Sequence, residues 1–271
     1  LKPFWLKGRL HNVSRIRYRN SMPVGRVPSW RAAVPIAALL RAASALSPLP
    51  FRGAAQPGTL LRTSDADIVR VACVGASITH GIGANGGESY PDVLQDVLGA
   101  DTYSVRNFGV PGATAIQHSC TLPYASTSAY AEALAFSPNI VIMQFASNDA
   151  LPCNWANHSQ DYDRDYAALI EAFRSLGTHP TIYLMAPPPM YDSFFTQSEQ
   201  RVVVNGAMTT LIRQVAEANG LPGVLDVFGR FAEHCPDFHN HCDWMTWDGL
   251  HPNAAGYQGM ATAAREKILG Q

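Results

Sequence analysis

No acidic residue precedes Asp65, and no apolar run reaches the roughly 18 residues that a membrane-spanning helix requires. The part before Asp65 holds eleven of the 20 Lys and Arg residues, whereas all 21 Asp and Glu residues lie in the remainder. The formal net charge of −1 gives no whole-chain argument for a nucleic-acid partner, and we predict none. The chain therefore consists of a basic first part and an acidic second part.

The basic first part has the composition of a targeting region. From Met22 it carries arginines, a short apolar stretch and then small residues, which is the order found in a secretory signal. Pro35 and Arg41 interrupt the apolar stretch, and an arginine-rich leader without acidic residues also fits an organelle transit peptide or a basic arm. We predict a leader over residues 1–66 that the mature protein need not contain, one domain over 67–271, and secretion, with an organelle as the alternative.

The five cysteines are consistent with an oxidising compartment. Cys73 lies inside an apolar run and is expected to be a buried free thiol. The other four can form two disulfides, and they are Cys120, Cys153, Cys235 and Cys242. Asn157 begins an Asn-His-Ser triplet, a candidate glycosylation site that gives weak support for secretion.

The stretch HCPDFHNHC, residues 234–242, raises the question of a metal site. Its histidines and cysteines are zinc ligands by type, but their spacing matches no common zinc template. A disulfide between Cys235 and Cys242 suits a secreted loop better, with zinc or free thiols as the alternatives. We predict no metal and no cofactor.

From residue 67 onward, apolar β-branched runs alternate with stretches of helical period. The runs cover residues 68–75, 102–109, 139–146, 181–187 and 223–228, and the helical stretches cover 89–99, 162–177, 200–220 and 253–270. This alternation predicts an α/β fold, a three-layer α/β/α sandwich of the flavodoxin-like kind with a mainly parallel five-stranded sheet. Ligand sites in such sheets lie at the carboxyl ends of the strands.

Several polar residues fall at that edge of the predicted sheet. Ser77 follows the first strand within VGASITHG, and Asn148 follows the third. A serine hydroxyl needs a base to become a nucleophile, and the best candidate is His251 in WDGLHPN. Asp248 precedes His251 by three residues, a spacing that lets the carboxylate hold one imidazole nitrogen and leave the other for Ser77.

Acyl transfer also needs hydrogen-bond donors for the developing oxyanion. The backbone N–H groups of Ser77 and Gly109 and the side-chain amide of Asn148 could supply three. Glycine at position 109 would let the backbone approach the substrate closely.

The ordered stretches GASITHG, NFGVPGAT, ASNDA and DGLHPN resemble the four blocks of the SGNH (GDSL-type) hydrolases over about residues 67–271. The resemblance implies Ser77 as the nucleophile, Gly109 and Asn148 in the oxyanion hole, and His251 as the base oriented by Asp248. Further stretches, including AFSPNIVIM and YLMAPPP, are similar to the branch described as carbohydrate O-acetylesterases.

Two positions depart from the family pattern. The family usually has aspartate where this chain has Ala76, and glycine-threonine where it has Ala146-Ser147. Neither change removes a predicted catalytic residue, although Ala76 is expected to loosen the turn that directs Ser77. Asp149 is expected to support its loop, with a simple turn pair as the alternative.

Three tryptophans lie close in sequence to the predicted catalytic residues. Trp155, Trp244 and Trp247 are candidates for an aromatic platform under a sugar ring, and ordinary packing is the alternative for each.

The combined prediction is a serine esterase that cleaves short-chain, chiefly acetyl, esters of carbohydrates or small molecules. A lipase, lysophospholipase or thioesterase of the same fold is the enzymatic alternative. A non-catalytic binding protein with a decayed site, marked by Ala76, is the alternative of another class.

Overall fold

The computed structural model describes residues 68–271, and the predicted leader over 1–66 lies outside them. The described chain contains a five-stranded parallel sheet and a separate pair of two-residue strands. In chain order the strands are β1 Val69–Gly75, β2 Tyr103–Gly109, β3 Ala113–Thr114, β4 Leu122–Pro123, β5 Ile140–Gln144, β6 Thr181–Met185 and β7 Val224–Leu225. The five runs predicted as strands form the main sheet, so the predicted sheet is confirmed.

The order of the main sheet is β2-β1-β5-β6-β7, and every pairing in it is parallel. From the central strand β1 the chain first adds β2 on one side of the sheet. It then adds β5, β6 and β7 on the other side, so the strand order reverses between β1 and β5. At the carboxyl end of β1, Gly75 lies opposite both Gly109 of β2 and Gln144 of β5. The loops that follow these three strands therefore open at one edge, where such sheets bind ligands.

Nine α-helices lie in the described residues. They are α1 Ser77–His80, α2 Tyr90–Leu98, α3 Ser128–Ala135, α4 Pro152–His158, α5 Tyr162–Arg174, α6 Ser198–Val203, α7 Thr209–Ala218, α8 Val227–His234 and α9 Ala254–Leu269. Four of them, α1, α3, α4 and α8, lie outside the stretches predicted as helices. The short helix α3 buries only Ala133 among its own residues, so its sequence carries little helical periodicity.

Two helices, α2 and α9, begin at well-formed caps. Ser89 and Asp92 form a capping box at the start of α2. Asn253, the predicted N-cap of α9, accepts hydrogen bonds from the backbone N–H groups of Ala255 and Gly256. These caps determine where the loops before α2 and α9 end.

Alternate residues of each strand enter two separate cores. Ala72 and Val74 of β1 pack with Met143 of β5 on one face of the sheet, and Val71 and Cys73 pack on the other. The second core also contains buried residues of α9, including Tyr257, Met260, Ala261 and Ala264. Helices thus cover both faces of the sheet, as predicted for a three-layer α/β/α sandwich.

The stretch predicted as one helix over 200–220 consists of three pieces. A π-helical segment, Val204–Met208, separates α6 from α7. Within it the Asn205 side chain accepts a hydrogen bond from Met190 N–H and donates one to the Met190 carbonyl, each at 2.8 Å. The π turn, a geometry that recurs at functional sites, thereby holds the loop that follows β6.

Within residues 68–271, no helix combines the length and the apolarity needed to cross a bilayer.

Candidate active site

Ser77 is the first residue of α1, directly after β1 and Ala76. Three backbone hydrogen bonds close the turn: His80 N–H to the Ala76 carbonyl at 2.9 Å, and the N–H groups of Gly81 and Ile82 to the Ser77 carbonyl at 3.0 Å. Ala76 is buried and makes no side-chain cap to α1. Backbone bonds thus hold the turn around Ser77 without the aspartate that is usual in the family.

The structure brings Ser77, His251 and Asp248 together in one hydrogen-bonded row. Ser77 Oγ lies 2.9 Å from His251 Nε2, and His251 Nδ1 lies 2.6 Å from Asp248 Oδ2. Asp248 Oδ2 accepts a hydrogen bond from His251 Nδ1–H. His251 Nε2, which faces Ser77, therefore carries the lone pair and accepts a hydrogen bond from the Ser77 hydroxyl. This is the geometry that activates a serine as a nucleophile.

Four hydrogen bonds hold the Asp248 carboxylate in position. Besides His251 Nδ1, its donors are the Thr246 hydroxyl at 2.7 Å and the backbone N–H groups of Leu250 at 2.8 Å and His251 at 2.9 Å. Partial burial acts to raise the pKa of Asp248, but hydrogen bonds to the ionised form outweigh it and place the pKa well below its ordinary value. Asp248 therefore stays ionised, which suits an acceptor for the imidazole N–H.

Gly109 lies at the end of β2 beside α1. Its backbone N–H donates a hydrogen bond to Asn107 Oδ1 at 2.9 Å. The Asn107 amide in turn donates to the Thr79 carbonyl at 2.8 Å and joins the turn after Ser77 to β2. A Cβ at position 109 would overlap the backbone of Thr79 and His80, so the structure requires glycine there for packing against α1. Packing against α1 is thus a reason for this glycine that differs from the close approach of substrate expected from the sequence.

Asn148 follows β5 and faces the same edge of the sheet. Its side-chain amide donates one hydrogen bond to the Ala113 carbonyl at 2.9 Å, which leaves the second N–H for another acceptor. The backbone carbonyl of Asn148 accepts from the buried Asn154 side chain at 2.7 Å, and Asn154 Oδ1 accepts from Cys120 N–H at 2.7 Å. A chain of amide hydrogen bonds thus positions Asn148.

Asp149 is fully buried behind Asn148. One carboxylate oxygen accepts a hydrogen bond from Ile116 N–H at 2.9 Å, whereas the other has no hydrogen-bond partner among the described residues. Burial raises the pKa of Asp149 to about 7. Asp149 thus supports the loop that contains Ile116.

The cysteines form two disulfides, Cys120–Cys153 and Cys235–Cys242, and leave Cys73 as a buried thiol. Burial raises the pKa of the Cys73 thiol to about 12, so this residue is an inert packing group. His234, Cys235 and Asp243 lie within metal-ligating distance of one another. The Cys235 sulfur is bonded to Cys242 and so offers no thiolate to a metal.

The three candidate tryptophans have different surroundings. Trp155 is half-buried and meets Tyr162 edge to face, with ring centroids 5.9 Å apart. Trp244 is also half-buried and stacks on His234 at 3.9 Å. Trp247 is 69% exposed, so among the three it offers the most ring surface to a ligand.

Asn157 is exposed on α4, where its side chain donates to the Cys153 carbonyl at 3.0 Å. Glycosylation of this residue remains a prediction.

The sequence analysis did not identify Asn107, Asn154 or Thr246 as residues that shape the site. Each acts through hydrogen bonds to the predicted residues: Asn107 to Gly109, Asn154 to Asn148, and Thr246 to Asp248. Their positions in the four blocks or just outside them were the available signal. Each lies only two to six residues from its partner, but the sequence does not show which way a side chain points or which group it bonds.

Residues 73–258 match the model of the GDSL-like Lipase/Acylhydrolase family. This range contains all four blocks and every residue of the Ser77–His251–Asp248 row.

A curated relative, the acetylxylan esterase of Xylanibacter ruminicola, is 30% identical over 214 residues. The alignment covers 72% of this chain and 42% of the relative, so the chain spans less than half the length of that protein.

Two solved structures have the same fold at low sequence identity. A carbohydrate acetylesterase family member from Sinorhizobium meliloti has a TM-score of 0.58 at 20% identity and covers 75% of this chain and all of its own. The acetylxylan esterase Axe2 from Geobacillus stearothermophilus has a TM-score of 0.55 at 21% identity and covers 74% of this chain and 94% of its own. These likenesses confirm the predicted fold.

Proposed function

The chain belongs to the GDSL-like lipase/acylhydrolase family, a family of carboxylic ester hydrolases, and we propose that it removes acetyl groups from carbohydrates. Membership confirms the family predicted from the four sequence blocks. The observation that carries the proposal is the hydrogen-bonded row from Asp248 through His251 to Ser77.

In the proposed mechanism, Ser77 Oγ attacks the ester carbonyl carbon while His251 Nε2 takes the hydroxyl proton. Asp248 stabilises the imidazolium that forms. The tetrahedral intermediate collapses as His251 returns the proton to the leaving sugar alcohol, and an acetyl group remains on Ser77. Water then attacks the acetyl-enzyme with His251 again as base, which releases acetate and restores the Ser77 hydroxyl.

The oxyanion of each tetrahedral intermediate needs preorganised donors. We assign this role to the Ser77 N–H, which lies in the first turn of α1, and to the second N–H of the Asn148 amide. Gly109 N–H is the third donor, and it must share or exchange its hydrogen bond with Asn107 when substrate binds.

The proposed substrate class rests on this site and on the relatives. The curated relative and the Axe2 neighbour are both named acetylxylan esterases, and the neighbour from Sinorhizobium meliloti is a carbohydrate acetylesterase family member. An acetyl ester of a polysaccharide such as xylan is therefore the substrate that we propose.

We also propose that the protein is secreted. Support comes from the two disulfides, which persist in oxidising compartments, and from the basic leader predicted over residues 1–66.

The test is hydrolysis of p-nitrophenyl acetate, butyrate and octanoate, followed by acetate release from acetylated xylan. We expect acetate to be the preferred acyl group and Ser77→Ala to lower kcat by about 10⁴ or more. His179→Asn, an exposed histidine in the loop before β6, is the matched control and should retain activity.

Two results would contradict the proposal. A preference for octanoate would identify a lipase-like enzyme instead. Failure of all three esters, together with failure of a fluorophosphonate to label Ser77, would identify a non-catalytic protein.

A further inference from the structure

Three aromatic side chains stand exposed beside the Asp248 loop. Phe194, Phe195 and Trp247, here named the aromatic surface, are 96%, 58% and 69% exposed. We infer that this surface binds a sugar ring of a neutral polysaccharide, next to the ring whose acetyl ester enters the site at Ser77. The inference rests on the proposed function, because it specifies how that function selects a polymeric substrate.

The three rings form one continuous surface. The ring centroids of Phe195 and Trp247 are 4.4 Å apart at an interplanar angle of 76°, and those of Phe194 and Phe195 are 5.3 Å apart at 80°. Such edge-to-face contacts hold the rings in fixed orientations. Because the rings stand on edge against one another, part of their faces remains open to solvent.

The backbone beneath the aromatic surface is joined to the Asp248 loop. Tyr191 N–H donates to the Gly249 carbonyl at 2.8 Å, and the Ser193 hydroxyl donates to the Asp248 carbonyl at 2.5 Å. Gly249 has a φ of +68°, and a Cβ there would lie 2.5 Å from the Tyr191 carbonyl oxygen. The close approach of the two loops thus requires glycine.

The loop that carries the two phenylalanines is also internally hydrogen-bonded. The Ser193 hydroxyl accepts from the N–H groups of Phe195 and Thr196, each at 3.1 Å, and the Thr196 hydroxyl donates to the Tyr191 carbonyl at 3.1 Å. These hydrogen bonds hold the turn from which Phe194 and Phe195 project into solvent. The exposure of Phe194 and Phe195 is therefore a consequence of how this loop is hydrogen-bonded.

The location of the aromatic surface connects it to the ester site. Trp247 directly precedes Asp248 in the chain. Asp248 is hydrogen-bonded to His251, and His251 is hydrogen-bonded to Ser77. The inferred arrangement therefore has the polysaccharide pass over this loop with the acetylated ring at Ser77 and a neighbouring ring at the aromatic surface.

Aromatic rings suit the apolar face of a sugar. The negative face of the ring attracts the weakly positive C–H groups of the sugar, whose hydroxyl groups stay in water. This interaction needs no ionised group on the ligand. It therefore fits a neutral polysaccharide in which acetyl groups mask some of the hydroxyls.

The charge of the domain disfavours a lipid surface as the occupant. Residues 68–271 hold nine Lys and Arg residues against 19 Asp and Glu residues, so anionic bilayers repel this part of the chain. Surfaces that bind bilayers through exposed aromatics usually combine them with Lys and Arg. Two residues before Phe194, Asp192 forms an ion pair with Arg201, which neutralises the charge of that arginine.

The test separates binding from catalysis by the use of Ser77→Ala as the parent. Migration in native gels that contain soluble xylan or glucomannan gives a Kd for the parent and for Trp247→Ala, Phe194→Ala and Trp247→Phe in the same background. We expect the two alanine variants to raise Kd about tenfold and Trp247→Phe to retain most of the affinity. Val97→Ala, an exposed apolar residue on α2, is the matched control.

A second measurement uses the active chain. Trp247→Ala should lower about tenfold the ratio of kcat/KM on acetylated xylooligosaccharides to kcat/KM on p-nitrophenyl acetate. Equal gel migration of the parent and Trp247→Ala, or binding of the parent to phosphatidylcholine vesicles but to neither polysaccharide, would overturn the inference.

The two levels of proposal fail in different ways. If the proposed function is wrong, octanoate is the preferred acyl group or none of the three p-nitrophenyl esters is hydrolysed, whether or not the protein binds a polysaccharide. If only the aromatic surface is wrong, acetylated xylan is hydrolysed and the Trp247 and Phe194 variants bind polysaccharide like the parent.

Discussion

His251 Nε2 lies 2.9 Å from Ser77 Oγ, although the two residues are 174 positions apart in the chain. The loop after α1 packs directly against the loop that carries His251. Gly83 has a φ of +98°, and a Cβ there would lie 2.5 Å from the Pro252 carbonyl oxygen and 3.1 Å from His251 Cβ. The Tyr257 hydroxyl of α9 donates to the Ile82 carbonyl at 2.6 Å. Close backbone packing between the two loops thus sets the distance between Ser77 and His251.

Asp248→Asn should inactivate the enzyme without unfolding it. The amide oxygen can keep the N–H bonds from Leu250 and His251, but the amide NH₂ would then face His251 Nδ1. The imidazole would adopt the other tautomer and could no longer accept the Ser77 proton, so we expect kcat to fall about 10⁴-fold. Steady-state hydrolysis of p-nitrophenyl acetate measures this.

Asp243→Asn is the matched control for this change. Asp243 also pairs with a histidine, His234, but outside the site. It should leave kcat unchanged, and a loss of less than tenfold in Asp248→Asn would show that Asp248 does not orient the base.

Asn154→Ala should weaken the positioning of Asn148. The change removes one donor to the Asn148 carbonyl and one acceptor for Cys120 N–H, both supplied by a fully buried side chain. We expect kcat to fall about tenfold with little change in KM, and the free energy of unfolding to fall by about 2 kcal/mol. Asn157→Ala, exposed on the same helix, should change neither quantity. If Asn154→Ala keeps full kcat, Asn154 does not support the proposed oxyanion site.

Ala76→Asp tests whether the turn before Ser77 has lost its alignment. Backbone hydrogen bonds already hold this turn, and Ser77 already meets His251, so we expect kcat to change by less than about threefold. Parallel assays of the parent and the variant on p-nitrophenyl acetate measure the change. An inactive parent with an active Ala76→Asp variant would show that the aspartate usual in the family is needed to align the nucleophile.

Asp149 should make stability depend on pH near neutrality. Its pKa of about 7 in the folded protein exceeds the value near 4 of an unfolded aspartate. Between these values the folded state binds more protons, so the contribution of Asp149 to the free energy of unfolding is greatest below about pH 4 and falls as pH rises to about 7.

Asp149→Asn should abolish this dependence while it keeps an acceptor for Ile116 N–H. Urea unfolding of both proteins should show the parent losing about 2–3 kcal/mol relative to the variant between about pH 5 and pH 7. Asp163→Asn, an exposed acid on α5, is the control. Parallel curves for the parent and Asp149→Asn would show that Asp149 ionises normally.

Local signals in the sequence are sufficient to predict the sheet and the edge at which the site lies. Strand runs and capping residues are signals of this kind: Asn253 caps α9 through bonds to residues two and three positions away. Because parallel strands end at one edge, the pattern of runs alone places the loops after β1, β2 and β5 together. The four ordered blocks then point to Ser77, Asp248 and His251, which the structure brings together.

The neighbours that each predicted residue meets depend on the tertiary fold. The Asn107 amide donates to the Thr79 carbonyl and the Asn148 amide to the Ala113 carbonyl, and of three candidate tryptophans Trp247 alone is mostly exposed. The exposed neighbours Phe194 and Phe195 lie more than fifty positions from Trp247 in the sequence and meet it through loop packing. Burial and hydrogen-bond partners are set by segments distant in sequence, so composition and periodicity could not have shown them.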